Sequence, residues 1–518
     1  MKELVYHRQL IPSADHYGDK TMIIDGDYRS THATHVDRTL RLASSLEQEL
    51  GVGRGDRFAV MMLNGHQYLE QYHAAFLGAG VINPLNLRLA PAELEYILYD
   101  SGAKVVFVDA WFGAVIDQVR KAAGVETVVL VGDGDVPHDV RYEDLIDAGA
   151  AVVPDEPEED DPVILMYTGG TTGLPKGVLL DQRAEMLNLY HALMQWHFDE
   201  HDVALHQTPM FHAASMGGIL GMPIIGAVSS FVPVFNPEQV LDVIERDQVT
   251  TTVMVPTMIG MLLQHPSFRP ERLASLRILT YGASPMPVPL LEQLLALYPA
   301  LDIYQGYGMT ESSAVLTCLG PEEHRAGGPL LRSAGRVLRG VVLSIQDDDG
   351  NEVPRGETGE VCARGGNYMT EYWNKPEATE EAFRGGWYHS GDAGYLDEKG
   401  YLFLVDRVKD MIVTGGENVY SVEVENAIAT YPGVAQVAVI GIPSAQWGEG
   451  VHAIVVPAEG VTLTEAEIVE HARQRIAGFK VPKSVEFRDD PLPLSGAMKI
   501  LKRDLRAPYW EGRERNIG

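Results

Sequence analysis

Short runs of apolar residues alternate along this chain with longer stretches in which apolar positions recur every three or four residues. Lys104-Val105-Val106-Phe107-Val108 and Thr127-Val128-Val129-Leu130-Val131 are of the first kind. Their short, unbroken apolar character predicts strands, and Gly132-Asp133-Gly134 supplies a turn after the second. Residues 40–50 and 91–100 are of the second kind and predict helices. Strands alternating with helices imply an α/β architecture. The longest apolar stretch, residues 217–235, is interrupted by Pro223, Pro233, Ser229, Ser230 and four glycines. A membrane-crossing helix needs about 20 apolar residues. A buried helix followed by a buried strand is the better reading, and no integral membrane segment is expected.

Composition narrows the function classes. With 41 Lys and Arg against 72 Asp and Glu, the 518-residue chain carries a net charge of −31. That excludes a general nucleic-acid binder, which needs a basic stripe to displace counterions, and disfavours an anionic membrane surface. Two cysteines, Cys318 and Cys362, build no disulfide framework. The first residues lack the apolar run of a signal peptide, so a cytoplasmic, reducing location is expected. The charge is uneven. Residues 407–518 hold 13 basic and 15 acidic residues, a net of −2, which leaves −29 for the first 406. Within residues 473–506, nine basic residues face four acidic ones, a net of +5. A small C-terminal domain with its own electrostatics follows. The acidic run Asp155-Glu156-Pro157-Glu158-Glu159-Asp160-Asp161 reads as a solvated linker.

The most informative segment follows the apolar run Val163-Ile164-Leu165-Met166. It reads Tyr167-Thr168-Gly169-Gly170-Thr171-Thr172-Gly173-Leu174-Pro175-Lys176-Gly177. Clustered glycines let backbone N–H groups approach and surround an anion. The threonine hydroxyls add donors and Lys176 a point charge. Polyphosphate is the ligand such a loop suits. Pro175 before Lys176 and Gly177 after it rule out the Gly-Lys-Ser/Thr pattern of a P-loop.

The loop resembles that of the adenylate-forming superfamily of acyl-CoA synthetases, adenylation domains and firefly-type luciferases, with Gly169 where serine is usual. Further motifs follow in the family's order: Tyr281-Gly282-Ala283-Ser284-Pro285, Gln305-Gly306-Tyr307-Gly308-Met309-Thr310-Glu311, Trp387-Tyr388-His389-Ser390-Gly391-Asp392, Asp406-Arg407-Val408-Lys409-Asp410, Thr414-Gly415-Gly416-Glu417-Asn418 and Ser495-Gly496-Ala497-Met498-Lys499-Ile500. The resemblance implies a large N-terminal multi-sheet α/β domain (1–408) that binds AMP and a small mobile α+β domain (409–518), hinged near Lys409. It also implies ATP, Mg²⁺ and CoA as cofactor and co-substrates, and homodimers are common among such proteins.

On that resemblance, Thr168, Gly169, Gly170, Thr171, Thr172, Gly173 and Lys176 would hold phosphate. Ala283, Ser284, Gln305, Gly306, Tyr307, Gly308 and Thr310 would surround adenine, with Tyr307 stacking on the base. Asp392 would accept the ribose hydroxyls and Arg407 would approach ribose or α-phosphate. Glu311 and Thr168 would hold the metal, a hard cation that prefers oxygen. Lys499 would bridge the carboxylate and the α-phosphoryl oxygens, where the transition state concentrates charge. Met498 stands where glycine is often seen. His212 would sit beside the carboxylate. Gly415, Gly416 and Trp447 would line a pantetheine tunnel, and the +5 strip is a candidate dock for CoA phosphates.

The candidate acyl pocket, Met216, Gly217, Gly282 and Met309 with His212, is apolar and small-sided. No aspartate lies between His212 and Phe235 to pair with an α-ammonium, which disfavours amino acids. Four readings stay open at this point. The first is a CoA ligase for a medium- or long-chain fatty acid. The others are a CoA ligase for an aryl acid such as a cinnamate, an acyl-AMP ligase loading a carrier protein, and a nucleotide-binding protein without turnover.

Overall fold

The two apolar runs become adjacent parallel strands, Val105–Asp109 and Thr127–Val131. Alternate residues enter two different cores. Val105 and Phe107 join a cluster with Phe58, Val60 and Tyr142, whereas Val106 and Val108 join one with Leu94, Ile97, Leu98 and Ile116. Burial on both faces is why these strands show no polar alternation. The computed structural model describes residues 3–168, 174–407, 410–414, 417–444, 446–496 and 498–511.

The helix expected at 40–50 spans His32–Gln48, opened by Thr31, whose side chain accepts the Thr34 N–H. The extra turns carry His32, His35 and Thr39, all buried, and these polar residues hid the start. The second helix, Pro91–Ser101, ends at Gly102 in the left-handed conformation. The apolar stretch resolves into helix Met216–Ile224 and strand Val228–Phe231, as its prolines and glycines demanded. Among the described residues no helix is long and apolar enough to cross a membrane.

Strands of the described residues form four sheets. A nine-stranded sheet runs in parallel from Asp302–Tyr307 through Ile278–Gly282, Thr251–Met254, Val203–His206 and Val228–Phe231 to Thr21–Asp25. An eight-stranded sheet places the antiparallel pair Pro162–Thr168 and Lys176–Asp181 beside parallel strands that include Val81–Pro84 and Arg57–Met61. A four-stranded antiparallel sheet holds Tyr388–Leu396 against Leu402–Arg407. The last sheet begins at Ile412–Thr414, centres on Val434–Ser444 and Gly448–Pro457, and has its own core of Val424, Ile428, Val439 and Val451. This is the mixed α/β fold the motifs implied, with a large N-terminal portion and a small C-terminal one.

The acidic run is less solvated than a linker would be. Glu159 accepts the Glu3 and Leu4 N–H groups and pairs with Arg183, Arg8 pairs with Glu156, and Arg54 pairs with Asp161. These carboxylates tie down the N-terminal segment. Cys318 and Cys362 are buried free thiols.

Candidate active site

Three parallel strands of the nine-stranded sheet end on the same side. After Val203–His206 comes the loop with His212, after Ile278–Gly282 comes Ala283-Ser284, and after Asp302–Tyr307 comes Gly308 to Glu311. Carboxyl ends of parallel strands are where α/β folds place ligands. Gly282 sits opposite Gly306 so closely that a Cβ on it would lie 2.3 Å from the Gly306 carbonyl oxygen. Gly308 is tighter still, 2.0 Å from the Ala314 oxygen by the same measure. Only glycine lets these two turns stack. Ala283 follows with φ +65°, a left-handed conformation that turns the chain away from the strand end. Gln305, behind them, accepts the Tyr281 hydroxyl at 3.2 Å.

Tyr307 is buried, and its hydroxyl donates to Asp392 Oδ2 at 2.8 Å. Burial and the Asp392 charge together push the phenol well above its ordinary range, so it stays a donor. Asp392 is itself buried and faces Arg407 across the four-stranded sheet; the Arg407 side chain lies outside the described residues. The turn before Asp392 is held by Glu360, which accepts the Gly391 N–H at 2.9 Å and pairs with Arg384 and His389. Glu360 carries no ligand-type motif, and the sequence reading missed it.

The glycine-rich segment lies between two paired antiparallel strands. Thr168 ends one strand, Lys176 starts the antiparallel return, and the two are direct partners. Gly169, Gly170, Thr171, Thr172 and Gly173 lie outside the described residues. Lys176 places its ammonium 4.6 Å from the centroid of the Tyr372 ring. The Tyr372 hydroxyl donates to Glu311 Oε1 at 2.8 Å, and burial beside Glu311 raises that phenol as well. Tyr372, invisible to motif reading, therefore joins the loop's lysine to the candidate metal carboxylate. Thr310 and Glu311 share a short turn in which the Ser312 hydroxyl accepts the Met309 N–H at 3.2 Å.

His212 accepts the Ala214 N–H at Nδ1, 3.1 Å away, so the neutral ring carries its proton on Nε2. Burial, reinforced by the charge of Lys499, lowers the imidazole to about 3. The lysine of the C-terminal portion thus lies within electrostatic reach of a histidine about 290 residues earlier in the chain. Around His212, Gly217 faces open space, with no heavy atom within 4 Å of a built Cβ. Met309 and Gly282 are half-buried. Met216 is 1 % exposed and packs in the main core.

Two expectations for CoA fare differently. Trp447 is partly exposed on a cleft of about 420 Å³ with Ile442, Ser444, Gly450 and Lys483. Gly415 and Gly416, like Lys409, lie outside the described residues. The +5 strip, however, is not a free cationic face: Lys480 pairs with Glu423, Lys502 with Glu425, Arg506 with Asp410 and Arg473 with Glu470. All four carboxylates lie outside residues 473–506, so a count along the sequence could not see the compensation.

Similarity to known proteins agrees with this geometry. Residues 12–373 match the family model described as AMP-binding enzyme, and residues 423–499 match the AMP-binding enzyme C-terminal domain. The chain is 39% identical to a feruloyl-CoA synthase of Amycolatopsis over 94% of this chain and 96% of that protein. It is 36% identical to a fatty acid–acyl-carrier-protein ligase of Streptomyces coeruleorubidus, over 92% of this chain and 91% of that protein. The crystal structure of ATP-bound MatB from Rhodopseudomonas palustris superposes with a TM-score of 0.88 at 30% identity, covering 98% of this chain and 99% of that one. The chain belongs to the adenylate-forming AMP-binding enzyme family, of the acyl-CoA synthetase type. It is an AMP-forming acid–thiol ligase.

Proposed function

We propose that this enzyme joins an apolar carboxylic acid to CoA in two half-reactions. The carboxylate oxygen attacks the α-phosphorus of ATP, giving acyl-AMP and pyrophosphate, and the CoA thiol then displaces AMP to give the thioester. The observations that carry the reading are Tyr307 and Glu311 at one strand end, Asp392 bonded to Tyr307, and neutral His212 within electrostatic reach of Lys499. Two anions must approach each other in the first step, and a lysine shared between them lowers that barrier most where charge is greatest. A neutral His212 with its proton on Nε2 can donate to the carboxylate without competing with Lys499 for charge.

In this reading Tyr307 stacks on adenine while its hydroxyl fixes Asp392 for the ribose, joined by Arg407. Ala283, Ser284, Gln305, Gly306, Gly308 and Thr310 shape the purine slot. The 168–173 connection and Lys176 hold the phosphates. Glu311 presents a hard carboxylate oxygen within one tyrosine of Lys176, a donor set that suits Mg²⁺. With Thr168 it would hold the ion, which neutralises phosphate charge when bound. Residues 1–408 form the AMP-binding domain and 409–518 the mobile one, turning at Lys409. After the turn, Gly415, Gly416 and Trp447 admit pantetheine, with Lys483 of the basic strip beside Trp447 offering charge to the CoA phosphates.

The open space at Gly217 and the lack of charge around it fit a medium- or long-chain fatty acid. The feruloyl-CoA synthase relative favours an aryl acid as the second reading, and the carrier-protein ligase relative favours a carrier thiol as the alternative acceptor. Pyrophosphate release measured over fatty, cinnamate-type and amino acids, with CoA or a carrier protein, tests all of these. Release with apolar acids and acyl-CoA formation support the proposal. No release with any acid refutes it in favour of binding without turnover.

A further inference from the structure

The segment that carries Lys499 is held to the N-terminal portion by an unusual residue. Ser495 N–H donates to the Lys499 carbonyl at 2.7 Å, Met498 N–H donates to the Ser495 carbonyl at 2.9 Å, and Ser495 Oγ accepts the Lys499 N–H at 3.1 Å. The result is a tight loop. Arg88 donates to the Leu494 and Ser495 carbonyls at 3.1 and 3.2 Å. Gly496 presses so close to Asn86 that a built Cβ would lie 2.2 Å from Asn86 Oδ1.

Met498 has φ +61°, a conformation that glycine adopts freely and that a residue with a Cβ resists. Yet its side chain is only 8 % exposed and belongs to the same apolar cluster as Leu205, Tyr281 and Met286 of the N-terminal portion. The two Arg88 bonds to these carbonyls lie at an exposed rim, where water competes for them, and Arg88 Nη2 also donates to Met498 Sδ at 3.7 Å. Burial of the methionine is a contribution that water opposes undoing.

We propose that Met498 is a positioning residue: its buried side chain anchors the loop against the N-terminal cluster, offsets the strain of its own backbone, and so presents Lys499 to the acyl-adenylate site. The inference rests on the adenylating reading above. It makes the docked arrangement partly a property of one apolar side chain. Leaving that arrangement for thioester formation then requires Met498 to be withdrawn into solvent.

Three substitutions separate the elements. Met498→Ala keeps the Cβ strain and removes the anchor, Met498→Leu keeps apolar bulk, and Met498→Gly removes both strain and anchor. Docking is read without any activity by placing a cysteine pair at Asn86→Cys and Gly496→Cys and timing disulfide formation under mild oxidation, since both native cysteines are buried. Loss of a buried side chain of this size shifts a two-state population by about tenfold. Met498→Ala is therefore expected to slow cross-linking by about fivefold or more, while Met498→Leu stays within about twofold of the parent.

In the full enzyme, Met498→Ala is expected to shift the ratio of adenylation rate to thioester formation from supplied acyl-AMP at least about fivefold toward the thioester, with Leu restoring it. Equal cross-linking in Ala and parent backgrounds, no cross-linking in the parent, or an equal fall in both half-reactions overturns the proposal. If cross-linking depends on Met498 while no acid releases pyrophosphate, the positioning stands and the function assigned above falls.

Discussion

The two portions of the molecule build their shares of the site in opposite ways. The N-terminal portion fixes its residues through buried contacts between distant strands: Tyr307 on Asp392, Tyr372 on Glu311, Gly282 against Gly306. It holds several buried histidines neutral. His73, His206 and His324 are each lowered to about 4 by burial, as is His32, where Lys20 adds to the effect. The C-terminal portion keeps charges and pairs them, as in Lys502–Glu425 and Arg506–Asp410. It brings Lys499 on a loop held by few contacts. On the proposed function, a site that needs fixed nucleotide contacts and a removable lysine would divide those demands between the two portions.

Acid separates the two portions most strongly. An unfolded histidine takes its proton near pH 6.5, whereas the four buried ones refuse it until about pH 4. The unfolded chain binds more protons throughout that window. The histidine contribution is therefore flat above pH 6.5 and falls below it, by about 1.4 kcal/mol per pH unit for each such histidine. Urea unfolding followed by hydrogen exchange should show the N-terminal portion losing several kcal/mol between pH 6.5 and 5, and the C-terminal sheet, where burial lowers His452, losing less. A uniform response would break the comparison.

Lys499→Ala should cost about 10²–10³ in adenylation and leave thioester formation from supplied acyl-AMP far less affected. Equal loss in both, measured by single-turnover assays, would mean that the lysine does not belong to a separable part. Tyr307→Phe removes the donor to a buried carboxylate, a loss of about 1–3 kcal/mol. It should raise the ATP KM about tenfold with little effect on the KM for the acid.

The smallest effect concerns Glu185, buried in helix Gln182–Gln195 and raised by burial to about 8. The folded chain keeps this proton where the unfolded chain has lost it, so its contribution is full below about pH 4.5 and fades as pH rises toward 8. Glu185→Gln should flatten that decline by on the order of 1 kcal/mol in urea midpoints between pH 6.5 and 8. An unaltered slope would show that Glu185 is not the group responsible.

Much of this site was readable because its parts are contiguous. Glycine-rich turns, a tyrosine between glycines and an aspartate after Ser-Gly each carry their geometry within a few residues. What escaped was long-range. Arg88 meets the Leu494 carbonyl across 406 positions, Tyr372 reaches Glu311 across 61, and Asp410, Glu423 and Glu425, which pair with the basic strip, lie far outside it. Fold followed the same division. The short apolar strands declared themselves, while the helix that starts at His32 was masked by buried histidines.

The central claim, that an acid oxygen attacks the α-phosphorus of ATP, is tested most directly by isotope transfer. With an apolar acid labelled with ¹⁸O in its carboxylate, and with CoA present, mass spectrometry of the AMP formed should show one ¹⁸O per molecule. Unlabelled AMP, or label in inorganic phosphate, would contradict it.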